Sequence, residues 1–139
     1  LPPRTILTPH PGEAARLLGT TTAAIQRDRP AAVRELARRW SAVVVRKGAG
    51  SLVCAPDARP WLVAAGNPGM ATGGMGDVLT GVIAALCAQG LGIESAAACG
   101  ALLHAVAGDV AASSGGARGL LPLDLIDALR SCANPGAAA

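Results

Sequence analysis

The feature that most constrains this chain is a glycine-rich stretch placed directly before an amphipathic helix. The stretch runs from Gly66 to Gly81 and reads Gly-Asn-Pro-Gly-Met-Ala-Thr-Gly-Gly-Met-Gly-Asp-Val-Leu-Thr-Gly. From Val78 to Leu86 apolar residues recur at helical spacing, which predicts a helix from about Gly76 to Gln89, ended by Gly90. A fold built on this junction places a flexible loop at the N-terminus of a packed helix.

The start of that helix is suited to binding an anion. Helix N-termini carry unpartnered N–H groups and partial positive charge, and glycine lets a phosphate approach the backbone closely. We therefore predict an anion hole formed by Gly73, Gly74, Met75 and Gly76, followed by Asp77 in the first turn. The same residues also allow a plainer interpretation, in which the carboxylate only stabilises the helix and the glycines only make a turn.

The residue after the last glycine limits which kind of phosphate-binding loop this can be. A Walker loop requires Gly-Lys-Ser/Thr, whereas Gly76 is followed here by Asp77. A carboxylate at this place can accept a hydroxyl proton while glycine N–H groups hold the transferred phosphoryl group. Gly-x-Gly-Asp before an apolar helix resembles the signature of the ribokinase-like superfamily. The whole run from Gly66 to Gly81 resembles one branch of it, the ADP- or ATP-dependent NAD(P)H-hydrate dehydratases.

A second motif lies near the start of the chain. Thr5–Thr8 is predicted to be a short buried strand that turns at Pro9-His10-Pro11 into a helix over Ala14–Leu18. The pattern alone favours a turn residue at His10. The segment resembles the dehydratase motif Thr-Pro-His-x-Gly-Glu, and this implies that His10, with Asp77, binds the hydrated nicotinamide substrate. Glu13 is expected to be structural.

A third motif follows the β-branched run Ser41–Val45, which is predicted to be a strand buried on both faces. Two glycines then allow a tight turn in which Lys47 can meet an anion, although an ordinary turn fits the local sequence equally well. The segment resembles the Lys-Gly-Ala-Gly-Thr element of the same family, with Ser51 in place of threonine. The resemblance implies nucleotide binding by Lys47, Gly48, Ala49, Gly50 and Ser51, together with Gly76.

The remaining elements need no function. We predict a polar connection over residues 20–30, a helix over 31–40, a hairpin of 52–54 with 61–63, a helix over 93–112, a final helix through 130 and a frayed tail over 134–139. Trp61 is expected to pack on the core. His104 does not share a helix face with Asp109, so we expect its ring nitrogens to find a partner by packing rather than in a catalytic pair.

Composition excludes several classes of function. The net charge is +3 with scattered arginines, and only two aromatic residues are present, which argues against nucleic acid. No apolar run approaches the ~20 residues of a membrane span, so no membrane association is expected. The four cysteines lack C-x-x-C spacing, which predicts free thiols, no metal-ligating residues and a cytoplasmic location.

The resemblance also implies the fold. It is a three-layer α/β/α sandwich of the ribokinase-like type, in an α/β chain whose residues 1–139 would form only the C-terminal part of one domain. The absence of an initiator methionine agrees with the expectation that this sequence is part of a longer protein. We expect the isolated piece to expose an unpaired sheet edge and to be inactive. The complete protein is expected to form a homo-oligomer and to use Mg²⁺, held through water by acidic residues that are absent here.

The implied reaction repairs damaged nicotinamide cofactor. The S epimer of hydrated NADH or NADPH (NADHX or NADPHX) would lose water at the expense of ADP or ATP, with Asp77 as the base. Two alternatives remain open. One is a kinase of a small hydroxylated metabolite, which would use the same loop and base. The other is a non-catalytic nucleotide-binding fragment, which would bind nucleotide without turnover.

Overall fold

The computed structural model describes residue 2, residues 4–134 and residue 136. Its strands are β1 (Ile6–Leu7), β2 (Val43–Arg46), β3 (Ser51–Cys54) and β4 (Trp61–Val63). Its helices are α1 (Pro11–Leu18), α2 (Thr22–Arg27), α3 (Arg29–Trp40), α4 (Met75–Ala88), α5 (Ile93–Gly115) and α6 (Pro122–Ala133), with a 3-10 turn at Pro68–Met70.

The strands form one mixed sheet in the order β1-β2-β3-β4. β1 pairs with β2 in parallel, and Ile6 lies opposite Val43. β2 and β3 are antiparallel, as are β3 and β4. A parallel pair requires a crossover, which α1 to α3 supply, whereas antiparallel neighbours need only the short turns found after β2 and β3.

Helices cover both faces of this sheet. Every residue of β2 is buried, as predicted from its β-branched run. Val44 packs with Leu36 of α3 on one face, while Val45 packs with Leu79 and Ile83 of α4 on the other. The protein is therefore a three-layer α/β/α arrangement, which confirms the predicted fold class.

Two predictions about local structure were wrong. The polar connection over residues 20–30 contains α2, because Thr21 caps α2 and Asp28 caps α3 by accepting the N–H of Ala31 at 2.9 Å. The polar side chains that suggest a loop are helix caps. Trp61 does not pack on the core but is 70% exposed, because it begins an edge strand that pairs on one side only.

The two C-terminal helices are longer than predicted. α5 continues to Gly115, and the hydroxyl of Ser113 donates to Val110 O at 2.7 Å, so polar residues within the last turn are satisfied locally. α6 runs past Arg130 to Ala133. The predicted fraying of residues 134–139 falls mostly outside the described residues.

α5 bears on the prediction of no membrane association, which stays a prediction. Its 23 residues make it long and apolar enough to cross a membrane by length and composition. Its neighbours are nevertheless protein, since it packs against α4, α6 and the sheet. A Cβ on Gly100 would lie 2.6 Å from Ile83 Cγ1, so the two helices approach closely there.

Candidate active site

The turn between β1 and α1 is held by His10 and Glu13. His10 Nδ1 accepts the backbone N–H of Gly12 at 3.1 Å and that of Glu13 at 3.3 Å. In return, Glu13 Oε2 accepts the His10 N–H at 2.7 Å, which completes a capping box at the start of α1. Because Nδ1 is an acceptor here, the proton of a neutral His10 lies on Nε2, 3.3 Å from Glu13 Oε1.

Lys47 joins this turn to the loop after β2. Its N–H donates to Pro9 O at 2.9 Å, so the ends of two adjacent parallel strands are tied together. Its ammonium lies 3.8 Å from Glu13 Oε2. The hydrogen bond from His10 lowers the pKa of Glu13, and the charge of Lys47 acts in the same direction, so this carboxylate is ionised at neutral pH.

Two arginines support the Lys47–Ser51 loop from the α1–α3 side. Arg46 is fully buried; its guanidinium donates to Gln26 Oε1 and approaches Lys47 O at 3.5 Å. Arg29 donates to Gly50 O. Burial, and then the like charge of Arg29, lowers the pKa of Arg46. These two positive charges make the loop electropositive.

The glycine loop enters α4 through a left-handed residue. Gly74 is the N-cap with φ of 89°, a conformation that L side chains rarely adopt, and no side chain caps the helix. The N–H groups of Gly74, Met75 and Gly76 have no hydrogen-bond partner in the described part of the chain. Met75 is 3% exposed and anchors the loop, because its side chain lies in an apolar cluster with Leu120 and Leu125.

These turns and the start of α4 border one open cleft of about 480 Å³. The side chain of Asp77 is exposed at its edge. A Cβ on Gly76 would lie 3.0 Å from Lys47 Nζ, so the ammonium sits against the first turn of α4. The residues lining the cleft are Leu7, Thr8, Pro9, Glu13, Arg16, Leu17, Lys47, Gly76, Asp77 and Thr80.

The charges around the cleft favour an anion. The ammonium of Lys47 and the N-terminus of α4 are both positive and lie side by side at Gly76. Glu13 offsets part of this charge, because its Oε2 lies 3.8 Å from Lys47 Nζ. A phosphate placed between Lys47 and the free N–H groups would be held by both, with the Asp77 carboxylate beside it.

A second open space, of about 470 Å³, lies between the end of α5 and α6. Its lining includes Arg118, Asp124 and Asp127, and it contains none of the predicted site residues. Asp124 is already engaged, because its carboxylate accepts the N–H of Leu121 at 2.8 Å. The first cleft is therefore the better candidate site, since it joins an unpartnered helix start, a cation and a carboxylate.

α5 holds the glycine loop at two points that the sequence analysis did not predict. Asp109 accepts the N–H of Gly66 at 2.8 Å and the side-chain amide of Asn67 at 3.0 Å. His104 Nε2 lies 2.9 Å from Met75 O. The expectation that His104 finds a partner by packing is confirmed, but its partner belongs to the predicted anion hole. The only hint of these contacts in the sequence is that His104 and Asp109 are polar residues in a mostly apolar helix.

The predicted site residues fall into two groups. Lys47, Gly76 and Asp77 line the cleft together. Of the other predicted nucleotide and anion contacts, Gly48, Ala49, Gly50, Gly73 and Gly74 lie in the adjoining loops, Ser51 begins β3, Met75 begins α4, and His10 caps the neighbouring helix. Sequence reasoning missed the contact of Glu13 with Lys47 and the cleft residues Arg16 and Thr80. The roles assigned to all of these residues stay predictions.

The cleft residues do not form a dedicated metal site. No group of three His, Cys, Asp or Glu side chains with metal-binding geometry occurs among the described residues. Of the two carboxylates in the cleft, Glu13 is engaged by His10 N–H and Lys47.

Comparison with known proteins agrees with the motifs. A family model described as NAD(P)H-hydrate dehydratase matches residues 2–131. The ADP-dependent (S)-NAD(P)H-hydrate dehydratase of Neisseria meningitidis is 52% identical over 126 residues, which are 90% of this chain and 43% of the relative. The bifunctional NAD(P)H-hydrate repair enzyme of Coxiella burnetii is 51% identical over 130 residues, which are 94% of this chain and 27% of that enzyme.

Solved structures give the same result. The ADP/ATP-dependent NAD(P)H-hydrate dehydratase of Bacillus subtilis, co-crystallised with ATP and Mg²⁺, is 34% identical with a TM-score of 0.86. The match covers 93% of this chain and 47% of that structure. A ribokinase-like protein of Enterococcus faecalis matches with 30% identity and a TM-score of 0.76 over 89% of this chain and 42% of that one. The chain thus spans less than half the length of these relatives.

Proposed function

Because this chain belongs to the NAD(P)H-hydrate dehydratase family, we propose that its cleft carries the ADP- or ATP-dependent dehydration of (S)-NADHX and (S)-NADPHX in the full-length protein. The observation that carries the proposal is the meeting of Lys47, Gly76 and Asp77 in one cleft. A cation, a free helix start and an exposed carboxylate are the groups that phosphoryl transfer to a hydroxyl requires.

In this mechanism, the terminal phosphoryl group of the nucleotide lies between Lys47 and the N–H groups of Gly74 to Gly76. The carboxylate of Asp77 accepts the proton of the ring hydroxyl. At the same time the hydroxyl oxygen attacks phosphorus, and the bond from phosphorus to the leaving nucleotide breaks. Lys47 and the helix N-terminus stabilise the charge that develops on the phosphoryl oxygens. Elimination of inorganic phosphate from the ring then restores NADH or NADPH.

The loop contacts support this arrangement. The Lys47–Ser51 loop is electropositive because Arg29 and Arg46 lie beneath it, which suits the remaining phosphates of the nucleotide. His10 caps α1 through Nδ1, so Nε2, 3.3 Å from Glu13 Oε1, is the ring nitrogen that remains to contact the nicotinamide part of the substrate. We propose that Mg²⁺ arrives with the nucleotide and binds chiefly to its phosphates.

We propose a cytoplasmic location for the protein. All four cysteines are free thiols, which supports a reducing, cytoplasmic location. We propose small-molecule partners only, without nucleic acid or membrane, and a homo-oligomeric complete protein. Light scattering on the full-length protein tests the last proposal, and a monomer at assay concentration would contradict it.

The test of the function follows recovery of reduced-cofactor absorbance from (S)-NADHX with ADP, with ATP and without nucleotide. We expect recovery only with nucleotide, with one inorganic phosphate released for each NADH. A phosphorylated product that accumulates would favour a kinase of a small hydroxylated metabolite, since the same groups would serve any bound hydroxyl. Binding of nucleotide without turnover would favour a non-catalytic binding module.

A further inference from the structure

The glycine loop is fixed to α5 at its two ends. At the first end, Asp109 accepts the Gly66 N–H, and Asn67 Nδ2 donates to Asp109 at 3.0 Å. At the second end, His104 Nε2 lies 2.9 Å from Met75 O, in the first residue of α4. The second attachment is the more informative one, because it touches the peptide next to the cleft.

The direction of the hydrogen bond is fixed by chemistry. A carbonyl oxygen can only accept, so His104 Nε2 carries a proton and donates it to Met75 O. His104 is 8% exposed, and burial lowers its pKa, which favours the neutral ring with its proton on Nε2. The mechanism proposed above does not use this buried imidazole.

The acceptor is part of the predicted anion hole. The carbonyl of Met75 and the N–H of Gly76 belong to one planar trans peptide and point in opposite directions. In the first turn of a helix, a peptide is held only through its carbonyl, because its N–H has no intrahelical partner. A donor from α5 adds a second bond to that carbonyl and so restricts rotation of the whole peptide.

Gly76, which supplies the N–H of this peptide, lies at the cleft. Gly76 lines the cleft beside Lys47 and Asp77. Its N–H has no partner in the part of the chain that the structure describes. The side chain of Met75 is at the same time buried among Leu120 and Leu125, so the residue before Gly76 is held by both its side chain and its carbonyl.

We propose that His104 is a positioning residue of the anion hole. By donating to Met75 O, it holds the Met75–Gly76 peptide in the orientation that directs the Gly76 N–H at the phosphoryl group. His104 itself touches neither nucleotide nor hydrated cofactor. The inference rests on the proposed function for its effect on turnover, but its effect on the Gly76 amide can be measured without turnover.

The first experiment compares His104→Gln with His104→Leu in the full-length protein. Glutamine places an amide donor near the position of Nε2, whereas leucine fills similar space without a donor. We expect His104→Leu to lower kcat by roughly 10- to 100-fold, since small displacements of a positioned group cost about this much. The KM for nucleotide should rise only modestly, because Lys47 and the loop up to Ser51 still hold the phosphates, and His104→Gln should retain most of kcat.

A second experiment observes the peptide directly. Isotope-labelled full-length protein is titrated with ATP while the amide resonance of Gly76 is followed by NMR. We expect ATP to shift this resonance strongly in wild type and in His104→Gln, and weakly in His104→Leu. If the leucine variant does not fold, His104→Asn replaces it, because its shorter amide lies too far from Met75 O while it remains polar.

The outcomes distinguish failure of the positioning role of His104 from failure of the proposed function. A wild-type kcat and a wild-type Gly76 shift in His104→Leu would overturn the positioning role. Equal losses in the glutamine and leucine variants, in proportion to lost stability, would also overturn it and leave only packing. If wild type binds ATP but does not dehydrate (S)-NADHX, the proposed function fails, and the Gly76 titration alone then decides the role of His104.

Discussion

Gly76→Ala should separate stability from anion binding. Gly76 lies in the first turn of α4, and a Cβ there would lie 3.0 Å from Lys47 Nζ, where the phosphate is proposed to bind. The backbone at Gly76 is not in the left-handed region, so alanine fits without strain. The ammonium is the far end of a flexible side chain and can move away from the new methyl group.

Two opposite effects follow. Alanine is favoured over glycine in helices by up to about 1 kcal/mol, so the variant should be as stable as wild type or slightly more stable. The methyl group would displace the anion from the Gly76 N–H and from Lys47. Hydrogen bonds to charged groups contribute about 1.5–3 kcal/mol, so we expect nucleotide affinity to fall roughly 10- to 150-fold.

The matched control is Gly81→Ala in the same helix. A Cβ on Gly81 meets nothing within 4 Å, so this variant should gain the same helix stability and keep wild-type nucleotide affinity. The assay is calorimetric titration of ATP into each full-length protein, with urea unfolding in parallel. If Gly76→Ala binds ATP as well as Gly81→Ala does, the cleft is not the phosphate site.

Three further predictions follow from single contacts. Lys47→Met keeps the apolar stem and removes the charge, so KM for nucleotide should rise about tenfold or more with little change in stability; an unchanged KM would contradict an ammonium–phosphate contact. Gly100→Ala should destabilise the protein, because its Cβ would lie 2.6 Å from Ile83 Cγ1; overpacking costs about 1–3 kcal/mol and exceeds the gain in helix propensity, so a urea midpoint at or above that of wild type would refute the close approach. Burial lowers the pKa of His104 below its ordinary 6.5, so the unfolded chain takes up the proton first and the free energy of unfolding falls as pH drops below 6.5. In denaturant titrations between pH 5 and 8, the free energy of unfolding of His104→Gln should depend less on pH. If it depends on pH as in wild type, groups other than His104 cause the dependence.

The sequence predicted the parts of the fold that depend on local pattern. β2 follows from a run of β-branched residues that is too apolar for an edge strand, and α4 follows from apolar residues at helical spacing after a glycine. α2 was not predicted, because Thr21 and Asp28 serve equally well as loop residues and as helix caps. The exposure of Trp61 depends on which strand lies at the sheet edge, and a single strand pattern does not contain that information.

The candidate site was predictable only where a motif is continuous in sequence. The Lys47 loop and the Gly76–Asp77 helix start are each short motifs, and the fold brings them into one cleft. The contact of His104 with Met75 joins residues 29 positions apart and depends on how α5 is rotated against α4. Helical periodicity gives the face of a helix but not the loop that the face meets.

The most direct test of the account is Asp77→Asn in the full-length protein, assayed for both nucleotide binding and turnover of (S)-NADHX. Asparagine keeps the size of the side chain in the first turn of α4 but cannot accept the hydroxyl proton. We predict a fall in kcat of roughly 10²- to 10⁴-fold with nucleotide affinity close to that of wild type. An undiminished kcat would contradict the assignment of Asp77 as the base and with it the mechanism proposed for this cleft.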